Sequence, residues 1–155
     1  MGIRQGQLSD LRSITDIFND YIENTHARFE TSPFSYQNRA EWFSQFAQNS
    51  KYQIFVAHED HHVLGFACSQ PYRMFSAFDE TVEVTIYLAS KARGNGVGSA
   101  LYQHLLDALA PQAVHQALHY QMMHRLRCIS DLVFVKSVCL PNMLRKMVNT
   151  LARSG

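Results

Sequence analysis

The feature that most restricts what this chain can fold into is a glycine-rich junction, Arg93-Gly94-Asn95-Gly96-Val97-Gly98-Ser99, set between a strand-like run and a helix-like run. From Thr81 to Leu88, Val82, Val84, Ile86 and Leu88 alternate with Glu83, Thr85 and Tyr87, which predicts a strand with one apolar face and one carrying polar groups. From Ala100 to about Leu109, Leu101, Leu105, Ala108 and Leu109 fall at helical spacing. Glycine has no Cβ, so backbone N–H groups can come close to a ligand there. A helix N-terminus behind such a loop adds unpaired donors and the positive end of the helix dipole. A junction of this kind suits a pyrophosphate.

Two familiar phosphate loops are excluded by particular residues. A Walker loop ends in Gly-Lys-Ser/Thr, and no lysine stands here. A dinucleotide fingerprint requires glycine at the third place after Gly96, where this chain has Ser99. What remains is Arg-x-x-Gly-x-Gly, realised as Arg93, Gly96 and Gly98 directly after Ile86-Tyr87-Leu88.

Upstream, Ile3–Arg4 reads as a short first strand. Ser9-Asp10 is placed to cap a helix whose apolar residues Leu11, Ile14, Ile17, Phe18, Tyr21 and Ile22 recur at helical spacing. A second helix is predicted from about Ser35 to Gln48, with Trp42, Phe43 and Phe46 on one side. Tyr52–His58 and Val63–Ser69 then read as paired strands around the polar turn Glu59-Asp60-His61-His62. His58, His61 and His62 lie at that turn with no second ligand group in sight, so no metal site is expected.

Charge matters because it is unevenly spread. The 155-residue chain has a net charge of +1, yet residues 1–118 carry net −4 and residues 119–155 net +5, the latter with Asp131 as sole acid. The near-neutral total gives no nucleic-acid footprint. Three cysteines (Cys68, Cys128, Cys139) make an odd count without metal-ribbon spacing. No apolar run suggests a signal peptide or a membrane span, so a cytoplasmic, non-membrane protein is expected.

The strand, loop and helix around Arg93 resemble the acetyl-CoA site of the GNAT acetyltransferases. More narrowly, Asn19 to Leu109 resembles the phosphinothricin/methionine sulfoximine N-acetyltransferase family. Four stretches carry the likeness in order: Asn19-Asp20-Tyr21-Ile22-Glu23-Asn24-Thr25 with Ala27, Phe29, Glu30 and Pro33; Arg39 with Glu41-Trp42-Phe43; Thr81-Val82-Glu83 with Tyr87; and Arg93 to Gly98 with Leu101-Tyr102. The resemblance implies an α/β fold with a mixed, mostly antiparallel sheet flanked by helices. It implies acetyl-CoA as co-substrate, a small amino-acid-like amine as acceptor, and the homodimer that the family commonly forms.

By the same resemblance, the amides of Gly94, Asn95, Gly96, Val97, Gly98 and Ser99, with Arg93, hold the pyrophosphate. Ile86, Tyr87 and Leu88 pair with the pantetheine arm, and the Leu88 amide polarises the thioester carbonyl. Glu83 matches the carboxylate that takes a proton from the substrate ammonium. Such a base is needed because only a neutral amine attacks a thioester. Arg73 and Phe75 resemble a basic-plus-aromatic pair that holds an amino-acid-like acceptor, arginine offering a bidentate fork to a carboxylate. Phe29 and Thr85 are further candidates for the acceptor pocket.

The family pattern stops near Leu118. The family continues with Leu-Pro-Asn-Asp-Ala-Ser and a helix containing Leu-His that ends in Leu-Gly-Phe, whereas this chain has His119-Tyr120-Gln121-Met122-Met123-His124-Arg125. Read one base earlier, the codons of that stretch allow Leu-Pro-Asn-Asp-Ala-Ser. Through Val135 they go on to allow Ala-Ala-Leu-His, Lys or Gln, then Arg-Leu-Gly-Phe. Residues 1–118 are therefore expected to form an incomplete acetyltransferase domain, and residues 119–155 a frameshifted tail that restores none of the missing C-terminal strands. Two functional classes follow: an N-acetyltransferase, or a catalytically impaired acyl-CoA-binding remnant of one.

Overall fold

The computed structural model describes residues 1–25, 30–72, 76, 79 and 81–112, and the backbone course of 134–139. The elements run β1 (Gly2–Gln5), α1 (Leu11–Asn24), α2 (Tyr36–Phe43), β2 (Ile54–Glu59), β3 (His62–Pro71), β4 (Thr81–Leu88), α3 (Val97–Leu109) and β5 (Phe134–Cys139). The five strands form one sheet in sequence order, and each described pairing is antiparallel.

Strand alternation sorts the core into two layers. Ile54 and Val56 of β2, Phe66 and Cys68 of β3 and Tyr87 of β4 face Ile14, Ile17, Phe18 and Tyr21 of α1. Their neighbours Phe55, Ala57, Ala67, Val82 and Val84 face the other way, onto Val97, Leu101, Leu105 and Leu109 of α3. The middle strands are thus buried on both faces, and their core apolar side chains divide between the two helix layers. On the α1 side the core is aromatic: Phe18 lies 4.6 Å from Tyr87 and 6.2 Å from Phe66 between ring centroids. The Arg39 guanidinium is buried against the rings of Phe34 (3.8 Å), Trp42 (5.0 Å) and Phe18 (5.2 Å).

The structure departs from the sequence-based expectations at three points. Ser9-Asp10 does not cap α1. Asp10 has helical backbone angles and is the last residue of a 3₁₀ turn at Leu8–Asp10, and its carboxylate reaches back to accept from the Gln7 N–H at 2.8 Å. The reason is Arg4 on β1, whose guanidinium donates to both Asp10 oxygens at 2.6 and 2.8 Å and fixes the carboxylate there.

Helix α2 is shorter than predicted. Ser35 caps its start by accepting from the Asn38 N–H (3.2 Å). Past Phe43, the Ser44 hydroxyl and Gln45 amide donate to the carbonyls of Glu41 and Trp42 (2.7 and 2.9 Å) and so close its end. The expected α/β architecture, a mostly antiparallel sheet flanked by helices, is present: all four pairings among the described residues are antiparallel. The tail, expected to restore none of the family's missing C-terminal strands, supplies one strand, β5, which pairs with β4 from Thr81↔Cys139 to Ile86↔Phe134. An open strand edge offers a row of N–H and C=O groups to any nearby segment of adequate β propensity, and Phe134-Val135-Lys136-Ser137-Val138-Cys139 has that composition.

Two outcomes follow for stability. Burial pushes the Asp10 carboxyl upward, but the Arg4 guanidinium and the Gln7 N–H outweigh it and hold the acid below its ordinary value. A depressed folded-state value means that this contribution is full above the unfolded-state pKa and is lost as pH falls through the folded one. Asp10→Asn should therefore cost about 2 kcal/mol at pH 7. Urea denaturation at pH 7 and pH 3 should show the difference from wild type shrinking in acid. Gly65 of β3 lies opposite Leu88, and a Cβ there would come within 2.6 Å of the Tyr87 carbonyl oxygen. Gly65→Ala should force the two strands apart and lower stability by about 1–3 kcal/mol in thermal melts.

Candidate cofactor and acceptor site

The glycine-rich junction folds as a turn that runs directly into α3. The helix begins at Val97, three residues earlier than the spacing of its leucines predicts, because Gly96 takes the N-cap position at φ 76° and Gly94 precedes it at φ 79°. Both are left-handed conformations that an L side chain resists, and a Cβ at either would meet nothing within 4 Å, so the requirement is in the backbone and not in packing. Gly98 answers a different need. Its built Cβ would lie 3.3 Å from Leu88 Cδ1, so its absence lets the first turn of α3 sit against the end of β4. The first intrahelical bond is Ala100 N–H to the Gly96 carbonyl (3.1 Å), and the N–H groups of Val97, Gly98 and Ser99 precede the helical ladder. Val97 is buried and anchors this turn, while Gly94, Asn95, Gly96 and Ser99 are exposed.

Arg93 is positioned from α1. Its guanidinium lies over the Tyr21 ring at 4.7 Å, and Nη2 comes within 3.5 Å of Asp20 Oδ2. The Asn19-Asp20-Tyr21 run, which the sequence marked without a role, thus grips the base of the loop. Asn19 also exchanges two hydrogen bonds with the Phe34 backbone, at 2.8 and 3.0 Å, and ties the end of α1 to the approach of α2.

On β4 the predicted two-faced pattern is realised. Ile86 and Leu88 pack toward α3 and Tyr87 toward α1. Glu83 is half-buried, and its cross-strand neighbour is Gln70, whose side-chain oxygen accepts from the Trp42 indole at 3.2 Å. Thr85 is 2% exposed, with its hydroxyl 3.2 Å from the Cys68 sulfur, so it forms part of the floor beneath this face. Phe29, Arg73 and Phe75 lie outside the described residues. Sequence reasoning missed Gly65, Gln70 and the contact of Tyr21 with Leu88. Glycine in a strand interior was the available signal for the first, and register alone reveals the others.

Chemically, the arrangement sets a row of backbone donors at a helix start beside the end of a strand that carries a half-buried carboxylate five residues back. An anion would be held at the first and an amine could be deprotonated at the second.

The comparisons with known proteins agree with that geometry. The family model for the acetyltransferase (GNAT) family matches residues 14–125. A phosphinothricin N-acetyltransferase of Streptomyces coelicolor is 39% identical over 117 residues, covering 74% of this chain and 68% of the relative. An L-methionine sulfoximine/L-methionine sulfone acetyltransferase of Pseudomonas paraeruginosa is 36% identical over 114 residues, covering 73% of this chain and 66% of that protein. The chain thus spans about two thirds of the length of these relatives. Among solved structures, a GNAT superfamily phosphinothricin acetyltransferase from Sinorhizobium meliloti in complex with acetyl-CoA superposes with a TM-score of 0.69 at 31% identity, covering 82% of this chain and 73% of that one. With the Arg-x-x-Gly-x-Gly turn in place between β4 and α3, the chain belongs to the GNAT acetyltransferase family.

Proposed function

We propose that the chain is an acetyl-CoA-dependent N-acetyltransferase that acts on the amine of a small amino-acid-like substrate of the phosphinothricin or methionine sulfoximine type. The observation that carries this reading is the junction of β4 and α3: two left-handed glycines lead into a helix whose first turn meets Leu88 at Gly98, and Leu88 lies five residues along the strand from Glu83. In this reading the amides of Gly94 to Ser99 hold the pyrophosphate, and the backbone of Ile86 to Leu88 pairs with the pantetheine arm. Glu83 takes a proton from the acceptor ammonium. The neutral amine then attacks the thioester carbon, the carbon–sulfur bond breaks, and the CoA thiolate leaves with a proton, giving the N-acetyl product. Arg73 with Phe75 holds the acceptor, with Phe29 lining its pocket and Thr85 at the floor. A cytoplasmic homodimer belongs to the same proposal.

A specific observation favours a second reading, the catalytically impaired acyl-CoA-binding remnant. β5 covers the edge of β4 as far as Ile86, and the Tyr87 backbone groups face β3, so along this strand only the Leu88 N–H and C=O are left on the outer edge for an added chain. This fits a tail translated from another frame. Resequencing the gene should reveal a single register change near codon 119 that joins an open frame encoding Leu-Pro-Asn-Asp-Ala-Ser.

Calorimetric titration with acetyl-CoA, together with thiol release in the presence of phosphinothricin or methionine sulfoximine, separates the two. Binding with turnover supports the enzyme, binding alone supports the remnant, and neither contradicts both. In the active chain, Glu83→Gln should retain acetyl-CoA binding and lose turnover by about 10²–10⁴-fold, as for removal of a general base. Unchanged turnover would remove Glu83 from the mechanism.

A further inference from the structure

The end of β4 is already occupied by the chain itself. The Tyr21 hydroxyl donates to the Leu88 carbonyl at 3.2 Å and accepts from the Leu88 N–H at 3.2 Å. The next N–H along, that of Ala89, donates to the Leu64 carbonyl of β3 (2.9 Å). Alternation along a strand therefore points the Leu88 pair away from β3, toward the outer edge. β5 does not reach it, since its pairing ends at Ile86. One side-chain hydroxyl thus holds both backbone groups to which an extended amide chain would add as the next strand.

The ring carrying that hydroxyl is confined. Tyr21 is 5% exposed and meets Tyr87 edge-on at 5.2 Å. Its face is covered by Arg93, which Asp20 flanks on the same helix. It cannot swing to solvent without breaking the contact that positions the loop.

We infer that Tyr21 is a positioning residue that competes with acetyl-CoA for Leu88: its hydroxyl stands in for the ligand, and binding transfers both Leu88 hydrogen bonds from the hydroxyl to acetyl-CoA. The N–H passes to the thioester carbonyl, and the C=O to an amide N–H of the pantetheine arm. This rests on the acetyl-CoA reading proposed above. The displaced hydroxyl stays buried and loses two partners, which penalises binding in the wild type and not in a chain that lacks it.

Tyr21→Phe keeps the ring and removes the hydroxyl. Calorimetry should show its Kd for acetyl-CoA about tenfold below that of wild type, the size of one uncompensated buried hydrogen bond. The KM for acetyl-CoA should fall in step while that for the amine stays fixed, a split that a merely structural role would not produce. An unchanged or raised Kd overturns the inference. Amide exchange on the wild-type chain gives a reading independent of the variant's folding. The Leu88 N–H should be protected without ligand, and rapid exchange there also overturns the inference. If wild type binds no acetyl-CoA, the acetyl-CoA reading fails and this inference falls with it. If wild type binds and Tyr21→Phe binds no tighter, only the inference fails.

Discussion

The backbone of Leu88, at the end of β4, is the point on which the rest of the arrangement depends. Three elements close on it and each gives something up to do so. β3 places a glycine opposite, because a Cβ at Gly65 would run into Leu88 and the Tyr87 carbonyl; α3 places Gly98 against the Leu88 side chain; and α1 sends the Tyr21 hydroxyl to its N–H and C=O. Two missing side chains and one buried hydroxyl are what bring a strand end and a helix start close enough to serve one ligand.

The surrounding fold supports that point from both faces. Because β2, β3 and β4 alternate between the α1 layer and the α3 layer, a shift of β4 by one residue would exchange Tyr87 with Leu88 and place each in the wrong core. Register is therefore fixed by hydrophobic packing, and with it the position of Glu83 on the polar face relative to Leu88. Arg93 is fixed in turn by Asp20 and Tyr21, so α1 sets both ends of the connection from β4 to the loop.

Much of this is legible in the sequence because it rests on local rules. The period-two pattern of Thr81–Leu88 gives the strand at its observed limits, and the glycines of the junction announce the turn. The start of α3 is missed by three residues, since Val97-Gly98-Ser99 has no helical pattern of its own and is drawn into the helix by the Gly96 cap. Asp10 is misread as a cap because its true partner, Arg4, lies on another element. Tyr21 is read as an ordinary apolar helix position, and most of its side chain behaves as one; only its terminal oxygen, 67 residues away in sequence from Leu88, does something else. β5 is missed for the opposite reason: strand pairing is a property of the edge it meets as much as of its own residues.

The central claim is that the turn from Gly94 to Ser99 and the end of β4 form one acetyl-CoA site. The most direct measurement is an NMR titration of the ¹⁵N-labelled chain with acetyl-CoA, following backbone amides. The account predicts saturable shifts at Val97, Gly98 and Ser99 and at Leu88 that fit one dissociation constant. Saturable binding that moves amides elsewhere and leaves these four unshifted would contradict it.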